Sequence, residues 1–87
     1  MNDHAENSWP AVVARRRRFL GLRQDELAAI AGVSTRFVHA VESGKATLRL
    51  EKFVDLLEAL GLKLVIESPG DQGNDHTAIR FNDAREQ

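Results

Sequence analysis

The sequence predicts an all-α domain of four to five short helices, followed by one short C-terminal β-strand. Apolar residues recur at helical spacing in segments that glycines separate, which is typical of short amphipathic helices. The segment LKLVIE at 62–67 instead alternates in the way a strand does. The 87 residues fit one domain, which we place at 8–67 between a flexible N-terminus at 1–7 and a flexible tail at 68–87.

The first helix is predicted over residues 9–20. Ser8 can cap its start, and Pro10 suits its first turn because the nitrogen there needs no hydrogen-bond partner. Residues spaced i, i+4 and i+7 form its inward face: Val13, Arg17 and Leu20. Gly21 is expected to end the helix.

The second helix is predicted from Gln24 to Gly32. Its inward residues are mostly small, which suits a close helix crossing: Leu27, Ala28 and Ala31. Gly32, Val33 and Ser34 then form a tight corner. Glycine allows a positive φ, Val33 can reach the core, and Ser34 can cap the next helix.

The third helix is predicted over residues 35–43 and the fourth over 49–60. Gly44 and Gly61 follow them as stop signals. The inward faces are apolar at helical spacing: Val38 and Val41 in the third helix, and Leu50, Phe53, Leu57 and Leu60 in the fourth.

The predicted strand at 62–67 needs a partner, and we find no second good strand candidate in the ordered region. We therefore predict that it pairs with the same strand of a second copy, through four apolar residues: Leu62, Leu64, Val65 and Ile66. The alternative is a strand that folds back on its own domain or pairs with a different protein. In the tail, HTAIRF at 76–81 is the only apolar segment, and it is either inert or docks on a partner.

Composition argues against several classes of function. The chain contains no Cys, which removes disulfides, thiolate metal sites and cysteine nucleophiles, and fits a cytoplasmic protein. The three His residues are too scattered for a metal site, no apolar run suits a membrane span, and the N-terminus has no signal-peptide pattern. No acid–base pair, nucleophile or phosphate loop is recognisable, so we expect no enzyme activity, no cofactor and no small-molecule substrate.

The net charge of −1 conceals an uneven distribution along the chain. Residues 10–50 carry eight Lys and Arg side chains against three Asp and Glu. Residues 51–87 carry four against eight. A basic half is typical of a nucleic-acid partner, and the overall charge does not reveal it.

Residues 24–45, QDELAAIAGVSTRFVHAVESGK, place a short helix, a glycine corner and a second short helix in quick succession. This is the spacing of a helix-turn-helix motif. An α-helix fits the major groove of DNA, and the corner directs the N-terminal end of the second helix toward the base edges. The motif therefore predicts double-stranded DNA as a partner.

The segment LGLRQDELAAIAGVSTRFVHAVESGK at 20–45 resembles the XRE family of phage-repressor-type helix-turn-helix domains. TLRLEKFVDLLEALGLKLVIE at 47–67 further resembles HipB-type antitoxins, in which the fourth helix leads directly into a strand. The chain departs from the family at Arg23, where a Ser or Thr helix cap is usual. The resemblance implies a lambda-repressor-like domain.

The resemblance also implies roles for individual residues. Base contacts fall at the start and on the outward face of the third helix: Ser34, Thr35, Arg36, His39 and Ala40. Phosphate contacts fall near the start of the second helix and after the third: Arg23, Gln24 and Lys45. A partly buried structural ion pair is expected between Arg17 and Glu42.

Together these features predict a dimeric, sequence-specific repressor that places its two third helices in successive major grooves of a palindromic operator. The HipB-type resemblance implies an antitoxin of a type II toxin–antitoxin operon, which regulates that operon and binds a HipA-like kinase toxin. One alternative is a stand-alone phage-repressor-like regulator. The other is a protein-interaction adaptor with the same fold and no DNA binding, which the acidic C-terminal half favours slightly.

Overall fold

A computed structural model describes residues 8–45, 47–69 and 78–83 of the chain. Its elements, in chain order, are α1 Trp9–Phe19, α2 Gln24–Ala31, α3 Thr35–Glu42, α4 Leu50–Ala59, β1 Leu62–Glu67 and β2 Ala78–Asp83. The predicted succession of four helices and a strand is confirmed, and each helix begins and ends within a residue or two of its expected position. The second strand was not expected.

Local sequence explains where the helices around the central corner begin and end. Gly32 follows α2 with φ of 75°, a left-handed conformation that costs glycine little and other residues more. Ser34 then starts α3, because its Oγ accepts a hydrogen bond from the Phe37 amide at 3.0 Å. At α1, Ser8 occupies the N-cap position as predicted, but its side chain makes no capping hydrogen bond.

The core joins all four helices and the start of β1. Ten apolar residues are buried there: Val13, Leu27, Ala28, Val38, Val41, Phe53, Leu56, Leu57, Leu60 and Leu62. Half-buried side chains surround them, including Val33 from the corner, as predicted, and Phe37.

Two of the inward predictions are wrong, and two buried residues were not predicted to be inward: Leu56, and Leu62, which was assigned to the dimer contact. Leu50 is 64% exposed because it is the first residue of α4, before the helix reaches the core. Leu20 lies just past the end of α1 and is also exposed. Leu56 is fully buried beside Leu57, because the apolar face of α4 is wider than one i, i+4 stripe.

An aromatic contact joins helix α1 to α4, and a hydrogen bond joins α1 to Leu60, just past the end of α4. The rings of Trp9 and Phe53 meet edge to face, with centroids 5.7 Å apart. At the other end of α1, Arg16 Nε donates to the carbonyl of Leu60 at 2.9 Å. The Arg16 guanidinium also lies 5.4 Å from the ring centre of Phe19. Arg16 therefore contributes to the fold.

Strand β1 pairs with β2 of the same chain, in antiparallel register from Leu62 opposite Asp83 to Glu67 opposite Ala78. The pairing lies within one chain, as in the folded-back alternative. The sequence between the strands is rich in turn-forming residues, so the sequence pattern does not predict β2. A strand has two edges, so pairing of β1 with a second copy stays a prediction.

Across residues 8–45 and 47–69, and the strand at 78–83, no helix is long and apolar enough to cross a membrane.

Candidate nucleic-acid interface

The candidate interface is built on the crossing of α2 and α3. Four residues at this crossing are buried: Leu27 and Ala28 of α2, and Val38 and Val41 of α3. Val38 and Val41 are three residues apart, so they fix one side of α3 in the core and turn its opposite side outward. The small side chain of Ala28 lets the two helices approach closely.

The outward side of α3 carries three exposed side chains, Thr35, Arg36 and His39, which we call the exposed face of α3. Ser34, just before the helix, is also exposed, whereas Ala40 is half-buried at its edge. These are the five positions at which the resemblance implies base contacts, and none lies in the core. Their contact with DNA stays a prediction.

A shallow groove of about 250 Å³ runs beside the exposed face of α3. Its apolar residues include Phe37 and Leu48, which pack against the core. Three exposed cationic residues line it as well: Arg36, Lys45 and Arg49. Lys45 follows α3 as predicted, and its amide donates to the Ala40 carbonyl at 3.0 Å, which fixes the backbone there.

Sequence reasoning missed Arg49 as a candidate interface residue. It lies at the N-cap position of α4, and its Nη2 donates to Glu51 Oε2 at 3.0 Å in an exposed ion pair. The available signal was a second cation four residues after Lys45, in the segment that follows the outward helix.

Arg23 is exposed at the N-cap position of α2, beside two carboxylates. Its Nε donates to Asp25 Oδ1 at 3.0 Å, and its Nη1 lies 3.4 Å from Glu26 Oε2. The hydrogen bond from Arg23 lowers the pKa of Asp25, and the same bond raises the pKa of Arg23. Since arginine offers no acceptor, it cannot cap the helix amides; Glu26 instead accepts from the Arg23 amide at 2.8 Å.

The predicted ion pair of Arg17 and Glu42 is present and is bidentate. Arg17 Nε donates to Glu42 Oε2 at 2.7 Å, and Nη2 donates to Oε1 at 3.0 Å. The two side chains are only 13% and 8% exposed. Arg17 Nη1 also donates to the Leu22 carbonyl at 2.8 Å, which ties the loop between α1 and α2 to the pair.

Gln24, the first residue of α2, extends this network. Its Nε2 donates to Glu42 Oε1 at 3.1 Å, so one carboxylate joins α1, α2 and α3. The amide of Gln24 is therefore held in place near the first turn of α2, where free backbone amides attract anions. No local sequence pattern predicts this hydrogen bond.

The charge state of Glu42 follows from these contacts. Burial alone would raise the pKa of Glu42, but hydrogen bonds from Arg17 and Gln24 and the positive charges of Arg17 and Arg18 outweigh it. The pKa of Glu42 is lowered as a result, and its hydrogen bond raises the pKa of Arg17. Both groups are charged at neutral pH.

Comparison with known proteins agrees with this geometry. Residues 13–66 match the helix-turn-helix family, a span that includes the buried crossing, the exposed face of α3 and β1 as far as Ile66. The chain is also similar to the uncharacterized HTH-type transcriptional regulator y4mF of Sinorhizobium fredii. The two are 42% identical over 62 residues, which cover 71% of this chain and 82% of that protein. The chain belongs to the helix-turn-helix family.

Proposed function

We propose that this chain is a dimeric, sequence-specific DNA-binding repressor of transcription. The observation that carries the proposal is the exposed face of α3, which the buried Val38 and Val41 hold outward at the start of a rigid helix. A helix presented in this way fits the major groove of DNA. The similarity to a protein named as a transcriptional regulator supports the same function.

Within this proposal, each side chain has a chemical role. Arg36 can make a bidentate contact with guanine, and Thr35 or Ala40 can contact a thymine methyl group. His39 can form a hydrogen bond with a base edge. Gln24, at the start of α2, binds a phosphate through the amide that Glu42 positions.

The remaining phosphate contacts come from cations on either side of α3. Lys45 is exposed just past the helix, and Arg49 lies on the same groove. Arg23 and Arg49 already have Asp25 and Glu51 as hydrogen-bonded partners, so each contributes less to DNA affinity than Lys45 does.

A salt titration tests DNA binding itself. Binding of the full chain to random duplex DNA is followed by fluorescence anisotropy while the salt concentration is raised. A DNA-binding protein releases phosphate counterions, so the logarithm of its affinity falls linearly, with a slope of about −0.9 per phosphate contact. Absence of measurable binding at low salt contradicts the proposal and favours the adaptor alternative.

The dimer is proposed to form at β1, where Ile66 is 67% exposed. A palindromic operator requires the two copies of α3 to lie about 34–36 Å apart, and we propose that strand pairing at β1 sets this distance. Ile66→Lys should make the chain monomeric in sedimentation equilibrium. Leu50→Lys, at a similarly exposed leucine on α4, is the matched control. An Ile66→Lys chain that remains dimeric contradicts the strand interface.

The antitoxin role is the finer part of the proposal. It is supported by the direct passage from α4 into β1, which resembles HipB-type antitoxins. We propose a HipA-like kinase as the toxin and autoregulation of the shared operon. Co-expression of this chain with a kinase-like protein from a neighbouring gene should yield a stable complex with low kinase activity. If the two proteins elute separately on gel filtration, the result favours the stand-alone repressor instead.

A further inference from the structure

One groove outside the DNA-binding residues combines apolar surface with positive charge; we call it the basic groove. It has a volume of about 320 Å³ and lies between α1 and the start of β1. Its lining residues are Val12, Arg15, Arg16, Phe19 and Leu62. Phe19 is 74% exposed at its edge. Helix α1 contains no acidic residue, so the charged side chains that it contributes to this groove are all positive.

A second groove has the opposite character; we call it the acidic groove. It has a volume of about 280 Å³ and lies between the end of α2 and the second half of α4. Asp55 and Glu58 supply two exposed carboxylates, and Ile30 supplies an apolar side chain that is 61% exposed. Ala31 and Ala59 complete its lining.

We propose that the basic groove of one copy binds the acidic groove of a second copy. Each groove pairs one exposed, bulky apolar side chain with two charges of a single sign, and the two signs are opposite. Surfaces with complementary charge attract one another, and burial of Phe19 and Ile30 adds a favourable apolar contribution. The net charge of −1 imposes little overall repulsion between copies.

Such a contact joins unlike surfaces, so it is head-to-tail and can continue from copy to copy. It uses none of the residues on the exposed face of α3 and leaves Ile66 uncovered. Copies bound to neighbouring operators could therefore touch through their grooves, and binding to adjacent sites would become cooperative. The contact itself does not depend on DNA.

The test measures self-association in the absence of DNA, by sedimentation at low salt. Every full-length chain in it carries Ile66→Lys, so that the proposed strand pairing does not contribute. Arg15→Glu makes the basic groove less positive, and Glu58→Arg makes the acidic groove less negative. Each variant alone should self-associate about fivefold more weakly than the parent chain, because like charges then face each other. An equimolar mixture of the two should regain the parent association, since each altered groove finds an opposite charge.

Glu51→Arg, which makes the same charge change at the other end of α4, is the matched control and should leave association unchanged. Phe19→Ser should weaken association in the same assay, and circular dichroism checks that every variant stays folded. Three results overturn the proposal: a parent chain that does not associate, charge variants that associate as well as the parent, or a mixture that fails to recover. DNA binding by the same variants is measured separately, so failure here leaves the repressor proposal standing.

Discussion

At the scale of single residues, the carboxylate of Glu42 connects three helices. It accepts hydrogen bonds from Arg17 on α1 and Gln24 on α2, while belonging to α3. Two buried charges lose hydration when the chain folds, and this loss offsets much of their attraction. The pair therefore fixes the orientation of the three helices more than it adds to the free energy of unfolding.

Removing Arg17 leaves the Glu42 carboxylate largely buried, with the Gln24 hydrogen bond and the charge of Arg18 as its remaining compensation. Arg17→Met should lower the free energy of unfolding by about 3 kcal/mol, at the lower end for a buried pair because both groups keep some exposure. Urea denaturation at neutral pH measures the change. Arg49→Met, which breaks an exposed pair, is the control and should have little effect. A similar small change in both variants would mean that the buried pair is not a constraint on the fold.

The same carboxylate predicts a dependence of stability on pH. The pKa of Glu42 in the folded chain is below its ordinary value of 4.5, so its contribution to stability is complete above that value. It is lost as the pH falls through the lower, folded pKa. The free energy of unfolding should therefore decrease as the pH falls below about 4.5. In the Glu42→Gln chain it should decrease less steeply with falling pH. Parallel pH profiles for the two chains would contradict this assignment.

At the scale of elements, the start of α3 depends on Ser34. Its Oγ caps the helix and still has a proton to donate, so the same residue can stabilise α3 and meet DNA. Ser34→Ala should lower the free energy of unfolding by about 1 kcal/mol in thermal or urea denaturation. Ser34→Asn retains a capping oxygen, so its free energy of unfolding should be close to that of the unmodified chain. If both variants are equally destabilised, the cap is not the cause.

The elements also show what a sequence pattern can and cannot predict. Glycine stops and apolar spacing locate α1 to α4, because both act within a few residues along the chain. Side chains at helix ends are predicted poorly: Leu20 and Leu50 fit the spacing but lie beyond the core. The bond from Arg16 to Leu60 joins residues 44 apart, and local spacing contains no information about such a contact.

The candidate site divides in the same way. The exposed positions Thr35, Arg36 and His39 follow from the helical period once Val38 and Val41 are taken as buried. The Arg17 pair with Glu42 follows from an inward-facing arginine and from family resemblance. The link from Gln24 to Glu42 depends on tertiary packing, so only the structure reveals it. For Arg49, the sequence shows its spacing from Lys45, and the structure adds its position beside the groove.

At the scale of the whole molecule, the two halves of the chain differ in charge and in proposed task. The basic half carries α1 to α3 and the candidate contacts with DNA. The acidic half carries α4, β1 and β2, which we propose to serve contacts with other protein copies. This division explains how a chain of net charge −1 can bind a polyanion, because most of the positive charge lies in the half of the chain that carries α3.

The central claim is that the exposed face of α3 reads bases, and a comparison of two variants tests it most directly. A preferred duplex is first selected from random DNA, and the affinities of each variant for this duplex and for random DNA are measured at several salt concentrations. Arg36→Ala should remove about 1–3 kcal/mol of preference for the selected duplex. Lys45→Ala should weaken binding to both duplexes alike and reduce the salt slope by about 1. If Arg36→Ala leaves the preference for the selected duplex unchanged, α3 is not the element that reads the sequence.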